Sequence, residues 1–434
     1  MRTDLVHPGA DELIYEIREI VEVAKKIESL GVSIVWENIG DPVAKGEQVP
    51  SWIREIVQEA TKENSSYGYS PTKGLQETRE YIAQERNLEG GLQITADDIL
   101  FFNGLGDAIS KIYKNLNPEA RVIGPNPAYP THSSFEASHA DKPHITYQLD
   151  PDNDWKPDVG EIERKVQENK NIAGILIVNP DNPTGFVYAQ ETIKKIVDIA
   201  KKYNLFVISD EIYSNLFFPG SGMKKLASAV DGVPAIAMRG ISKEFPWPGA
   251  RCGWLEFYNR DKDENFYRYT KSIVDSKMLE VCSTTLPQLV LPRVMKDPRY
   301  FPYLDGRISK YEKRSDIAYE TFSKIPELIV HQARGAFYFT VVFKDGVLNG
   351  AQTLGIKNSK VQGVIEPLLN GATYDKRFCY YLLASYGICV VPLSSGFNST
   401  RFGFRMTLLE EDEQKFEDIV NKLSEAIKKY INSK

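Results

Sequence analysis

Between about residue 90 and residue 260, short apolar runs alternate with stretches whose apolar positions recur every three or four residues. Ile99 to Phe102, Arg121 to Gly124, Ala173 to Val178, Leu205 to Ser209 and Ala235 to Met238 are the runs. They are short, and apolar along most of their length rather than at alternate positions, as strands buried on both faces are. From Glu191 to Tyr203, Ile193, Ile196, Val197, Ile199 and Ala200 fall on one helical face between two such runs. That is a crossover helix, so the strands it joins are parallel neighbours. Residues 11 to 30 carry Leu13, Ile17, Ile20, Val21, Ala24, Ile27 and Leu30 opposite Glu and Lys, which predicts an amphipathic helix. Past about residue 300 the pattern changes to a charged helix (Gly306 to Phe322), a strand (Ala336 to Phe343) and a last helix (Glu411 to Ile431). The expected organisation is an N-terminal segment (1–49) that partly joins a small domain, a large α/β domain (50–300) with a mostly parallel sheet, and a small α+β domain (301–434). The Gly220-Ser221-Gly222 triplet is a turn.

Composition narrows the function classes. Of 434 residues, 42% are hydrophobic and 26% charged, the balance of a globular chain with a large interior. A net charge of −6 leaves no positive stripe for a phosphate backbone, so a nucleic-acid partner is not expected. The opening residues lack a secretion-signal run and no stretch approaches the ~18 apolar residues of a membrane span, so a cytoplasmic protein without a membrane partner is expected. The 4 cysteines form no Cys-x-x-Cys pair, and His132 and His139 lack the company a metal site needs, so no metal is expected.

Ligand sites in open α/β sheets lie at the carboxyl ends of the strands. After Ile175-Leu176-Ile177-Val178 comes Asn179-Pro180-Asp181-Asn182-Pro183-Thr184-Gly185, where two prolines restrict the backbone around Asn182. The next run leads into Asp210-Glu211-Ile212-Tyr213, and a third into Gly240-Ile241-Ser242-Lys243 followed by Gly249-Ala250-Arg251-Cys252-Gly253. Carboxylate, phenol, amide, amine and guanidinium therefore gather at neighbouring strand ends.

With Asn38-Ile39-Gly40-Asp41-Pro42, Tyr67 to Leu75 and Arg401-Phe402-Gly403-Phe404-Arg405, these motifs resemble, in order and over nearly the whole chain, the class I/II aminotransferases of the fold-type-I pyridoxal-phosphate family. The resemblance implies a large domain with a mostly parallel sheet flanked by helices, a smaller α+β domain, and pyridoxal 5'-phosphate as cofactor. Lys243 would form the Schiff base with the cofactor aldehyde and, displaced by substrate, move the proton. Asp210 would face the pyridine nitrogen. Asn182 and Tyr213 would bond the ring oxygen, and Tyr129 would stack on the ring. Arg251, Ser242 and the amides of Gly104, Leu105 and Gly106 at a helix start would hold the phosphate. Tyr69 would reach the phosphate of a neighbouring subunit, which makes the chain a homodimer with shared sites. Arg405 would take the substrate α-carboxylate, with Ile39 and Gly40 lining its pocket.

Gly240 departs from the many relatives with serine there and removes one phosphate donor. Glu12 to Arg18 and Met278 to Cys282 look most like alanine aminotransferases that exchange with 2-oxoglutarate, so Tyr15 and Arg18 are expected near the substrate. The stretch 277–288 offers no arginine for a distal carboxylate, leaving Lys277 and Arg18 as the candidate cations. The expected reaction is ping-pong transfer of an amino group between an L-amino acid of the alanine or glutamate type and a 2-oxo acid. Two other readings share these motifs: a pyridoxal-phosphate carbon-sulfur β-lyase, and a non-catalytic ligand-binding protein on the same fold.

Overall fold

The computed structural model describes residues 3, 5–13 and 17–433. Its central sheet has eight strands in the order Ile99–Phe102, Gly253–Tyr258, Ala235–Gly240, Phe206–Asp210, Ile172–Val178, Arg121–Asn126, Thr146–Asp150, Lys156–Pro157. From Ala235–Gly240 to Thr146–Asp150 every neighbouring pair is parallel. Gly253–Tyr258 runs against both of its neighbours. The fold is α/β.

The continuous apolarity of the runs has a direct cause, because successive side chains enter different cores. Leu100, Phe102, Phe206, Ile208, Ile236 and Met238 pack on one face with Ile109, Ile112, Phe266 and Ile273. Ile99, Phe101, Val207, Ala235 and Ala237 pack on the other with Ile193, Ile196 and Val197 of the crossover helix Gln190–Lys202. Both faces are covered by helices, so these strands are apolar along most of their length, and the polar residues Arg121, Ser209, Asp210, Arg239 and Glu256 within them are buried.

A second, antiparallel sheet comprises Leu328–Val330, Tyr338–Phe343, Gly403–Thr407 and Val391–Pro392 in that spatial order. Helices Tyr374–Tyr386 and Glu413–Ile431 pack against it through an aromatic group of Phe343, Phe378, Phe404 and Tyr430. The long helix begins at Tyr300 rather than Gly306. Pro302 falls within its first turn, where no N–H is needed from it. The N-terminal helix spans Ile17–Glu28 and is preceded by a 3-10 turn, Pro8–Glu12, that packs on helix Pro130–Ala140. Among the described residues no helix is long and apolar enough to cross a membrane.

Candidate active site

Parallel register carries the loops to one rim: Val178 lies opposite Asp210, and Asp210 opposite Met238 two residues before Gly240. Asp210 closes its strand and is only 3% exposed. One carboxylate oxygen accepts the Ile212 N–H at 3.1 Å and the other lies 3.1 Å from His132 Nε2. His132 belongs to helix Pro130–Ala140, and Tyr129, just ahead of that helix, stands edge-on to it with ring centroids 6.4 Å apart. The role of His132 was not legible in the sequence, where it stood only as an unsupported metal ligand.

Lys243 is half-buried, and its Nζ donates to Gly40 O at 2.7 Å and lies 5.7 Å from the centre of the Phe337 ring. Burial lowers the pKa of this amine to about 8; Asp41 opposes the shift, and the positive charges of Arg405, Arg251 and Arg307 reinforce it. Tyr213 is buried, with its hydroxyl 2.8 Å from that of Tyr338, and burial raises its pKa well above the ordinary phenol value. Tyr338 is the second residue the sequence reading missed. Its hydroxyl lies where a side chain on Gly40 would begin, 2.5 Å from such a Cβ, and its ring faces the Arg405 guanidinium at 4.5 Å.

Arg405 sits in the second sheet opposite Thr340 on one side and Val391 on the other, and it points across to the first. Its Nη1 donates to Asn182 Oδ1 at 3.3 Å and its Nη2 to Asn38 O, while the Phe397 ring centre lies 5.2 Å from it. Segment 38–40 thus touches both Arg405 and Lys243, with Ile39 half-buried between.

At the other end of the site, helix Leu105–Lys114 starts after Gly104 with no side-chain cap, which leaves its first amides directed outward. Gly104 has φ +81°, and a Cβ there would lie 2.4 Å from Arg251 Nη2. The guanidinium rests on the bare glycine backbone and donates to Asn103 O at 3.3 Å and Pro248 O at 3.1 Å. Ser242 is half-buried beside Lys243.

The family described as aminotransferase class I and II matches residues 36–423. The chain belongs to the class I and II aminotransferases. An uncharacterized aminotransferase of Methanocaldococcus jannaschii is 54% identical over 433 residues, covering 100% of both chains. The glutamate-pyruvate aminotransferase AlaA of Escherichia coli is 28% identical, covering 76% of this chain and 80% of the relative. An alanine aminotransferase from Pyrococcus furiosus superposes with a TM-score of 0.84 at 26% identity, covering 98% of this chain and 100% of that one. Aminotransferases of this family are pyridoxal-phosphate enzymes.

The residues of this aminotransferase fit that cofactor: an amine of lowered proton affinity for the aldehyde, a buried carboxylate and a phenol for the ring, and uncapped amides with a guanidinium for the phosphate. Serine at position 240 has no room, since a Cβ there would lie 2.8 Å from Cys252 O. The missing hydroxyl follows from tight packing between neighbouring antiparallel strands. Lys277 is not available to a distal carboxylate, contrary to expectation: its ammonium is fully buried, 3.0 Å from Asp107 and 2.7 Å from Glu280. Arg18 is exposed on the N-terminal helix, and Tyr15 lies outside the described residues. Tyr69 is 85% exposed on this chain.

Proposed function

We propose that this aminotransferase moves the amino group between an L-amino acid of the alanine or glutamate type and a 2-oxo acid, in two ping-pong half-reactions, with pyridoxal 5'-phosphate held by Lys243. The observation that carries the reading is the position of the Lys243 amine: it has a pKa of about 8 and is hydrogen-bonded to Gly40, in the segment that also holds Arg405. An amine poised near neutrality can both attach a carbonyl and shuttle a proton.

The cofactor, when bound, supplies an electron sink for the carbanion left as the α-proton departs. The chain's own groups do the rest. Asp210, oriented by His132 and the Ile212 amide, presents a fixed negative charge that favours a protonated ring nitrogen. Tyr213 and Asn182 offer donors to the ring oxygen, and Tyr129 its ring face. Arg251 and the amides after Gly104 would hold the phosphate, with Ser242 adjacent. Arg405 takes the α-carboxylate with its fork already fixed by Asn182 and Asn38, so the substrate's α-hydrogen is set without further ordering of the arginine. Lys243 Nζ would accept that proton and hold it close to where it left. Tyr69 would complete a neighbour's phosphate site in a homodimer, and Arg18 and Tyr15 would serve the substrate's far end.

The amino-acid relatives support alanine and glutamate as donors, since several carry those substrates in their names. The test is the visible spectrum of the cofactor-loaded protein after L-alanine, L-glutamate, L-aspartate or L-cysteine is added singly, with products assayed. Conversion to the pyridoxamine form by alanine and glutamate, reversed by 2-oxoglutarate, is expected. Inertness to both, or release of sulfide and pyruvate from cysteine with the lysine-bound band intact, would overturn the proposal; the second result would indicate a β-lyase.

A further inference from the structure

An ion-pair network lies beneath the start of helix Leu105–Lys114, and none of the steps above uses it. Lys277, in the last turn of helix Glu264–Met278, has a side chain 0% exposed. Its Nζ lies 3.0 Å from Asp107 Oδ2, 2.7 Å from Glu280 Oε2 and 5.3 Å from the centre of the Phe102 ring. Glu280 is also paired with Lys111. Asp107 is the third residue of helix Leu105–Lys114, and the same Oδ2 accepts the Asn103 N–H at 3.0 Å. The side chain of Asn103 accepts from the amide and hydroxyl of Thr284 at 3.0 and 3.1 Å, and its carbonyl accepts from Arg251.

Asp107 therefore does two opposed things. By tying Asn103 to the helix it shapes the loop whose free amides face the site, and a carboxylate in a first turn suits the helix dipole. Yet the same carboxylate puts a negative charge within one turn of the amides that would receive a phosphate, and like charges this close repel. A buried lysine on its far side resolves the conflict, because it cancels the charge without occupying the loop. A cation this deeply buried persists only when paired, and both of its partners are carboxylates.

We propose that Lys277 is a positioning residue for the cofactor phosphate: by neutralising Asp107 it keeps the 103–107 loop both shaped and attractive to a dianion. The inference rests on the reading that this site holds pyridoxal phosphate. A lysine that serves the phosphate and one that serves only the fold differ in their effect on a cofactor form that lacks the phosphate. Pyridoxal, which lacks the phosphate, is titrated beside pyridoxal phosphate into the apoprotein, and the lysine-bound visible band is followed in the native protein, Lys277→Met, Lys277→Arg and Asp107→Asn/Lys277→Met.

Lys277→Met should weaken pyridoxal phosphate by about tenfold, the scale of one uncompensated charge at short range in a partly solvated site, and leave pyridoxal within about twofold. Lys277→Arg and the double variant should regain most of the loss, since the first restores the positive charge and the second removes the negative one. Equal weakening of both compounds in Lys277→Met, or none, would overturn the proposal. Should that variant fail to fold, the double variant decides: phosphate-specific loss persisting there, with no net charge left to explain it, would equally overturn it. Uptake of neither compound by the native protein would instead remove the cofactor reading on which the proposal stands.

Discussion

Arg405 is fixed before any substrate arrives, by Asn182 Oδ1, the Asn38 carbonyl and the rings of Tyr338 and Phe397. Arg405→Ala should lower kcat/KM by about a hundredfold or more, the loss of a charge-assisted double contact, with the lysine-bound band retained. Unchanged kcat/KM would remove the arginine from the carboxylate site. Tyr338→Phe deletes the hydroxyl 2.8 Å from Tyr213 and should slow turnover by about fivefold, one neutral hydrogen bond's worth; kcat at saturating substrate checks it. The Lys243 amine carries its own pH dependence. With a pKa of about 8 it is mostly charged and unreactive below that pH and mostly neutral above it. Cofactor uptake by the apoprotein should therefore rise with pH to a plateau a little above pH 8. Removing Arg405, whose charge disfavours the ammonium, should shift the midpoint upward. An uptake rate still climbing at pH 10, as for an ordinary lysine, would contradict the environment described here. Lys243 and Asp210 were legible as candidates because each follows or closes an apolar run, whereas Arg405 came only from the family resemblance. His132 and Tyr338 were legible in neither way: they stand 78 and 125 positions from the residues they touch, Asp210 and Tyr213, and nothing local to either marks the contact.

Among the elements, the entrance of helix Leu105–Lys114 is the most constrained. Gly104 has a positive φ and carries the Arg251 guanidinium on its bare backbone, so Gly104→Ala both strains the turn and displaces the arginine. Cofactor affinity should fall by about tenfold or more on the cost of strain alone, read by titrating the apoprotein; wild-type affinity would show that neither contact matters. The strands were legible because two cores demand apolar residues at successive positions, a signal strong enough to place Ile99–Phe102 to the residue and the other runs to within two. The antiparallel Gly253–Tyr258 escaped attention, since it follows Arg251 at φ +50° and is entered from a turn rather than a crossover helix. Helix Tyr374–Tyr386 was missed for the opposite reason: Phe378 to Ala384 are all buried, so it shows no polar stripe to give a period. The expected N-terminal helix was read too long because an apolar rhythm alone does not register the Pro8 turn ahead of it.

Across the molecule, Arg307 joins the parts that frame the site. From the long helix Tyr300–Phe322 it donates to the carbonyls of Lys243 at 2.7 Å and Glu244 at 3.0 Å, and to Glu47 Oε2 at 3.0 Å. The N-terminal segment, the loop bearing the lysine and the long helix thus meet on one buried guanidinium. Arg307→Ala should cost about 3–5 kcal/mol, as breaking a buried pair does, seen as a lower midpoint in denaturant; a change under about 1 kcal/mol would mean that the three parts are held together by other contacts. Which lysine carries the cofactor is the claim on which the rest depends. The most direct measurement is borohydride reduction of the protein supplied with pyridoxal phosphate, followed by peptide mapping. A phosphopyridoxyl group on Lys243, absent from Lys243→Ala, is the predicted result; labelling of a different lysine, or of none, would contradict the account.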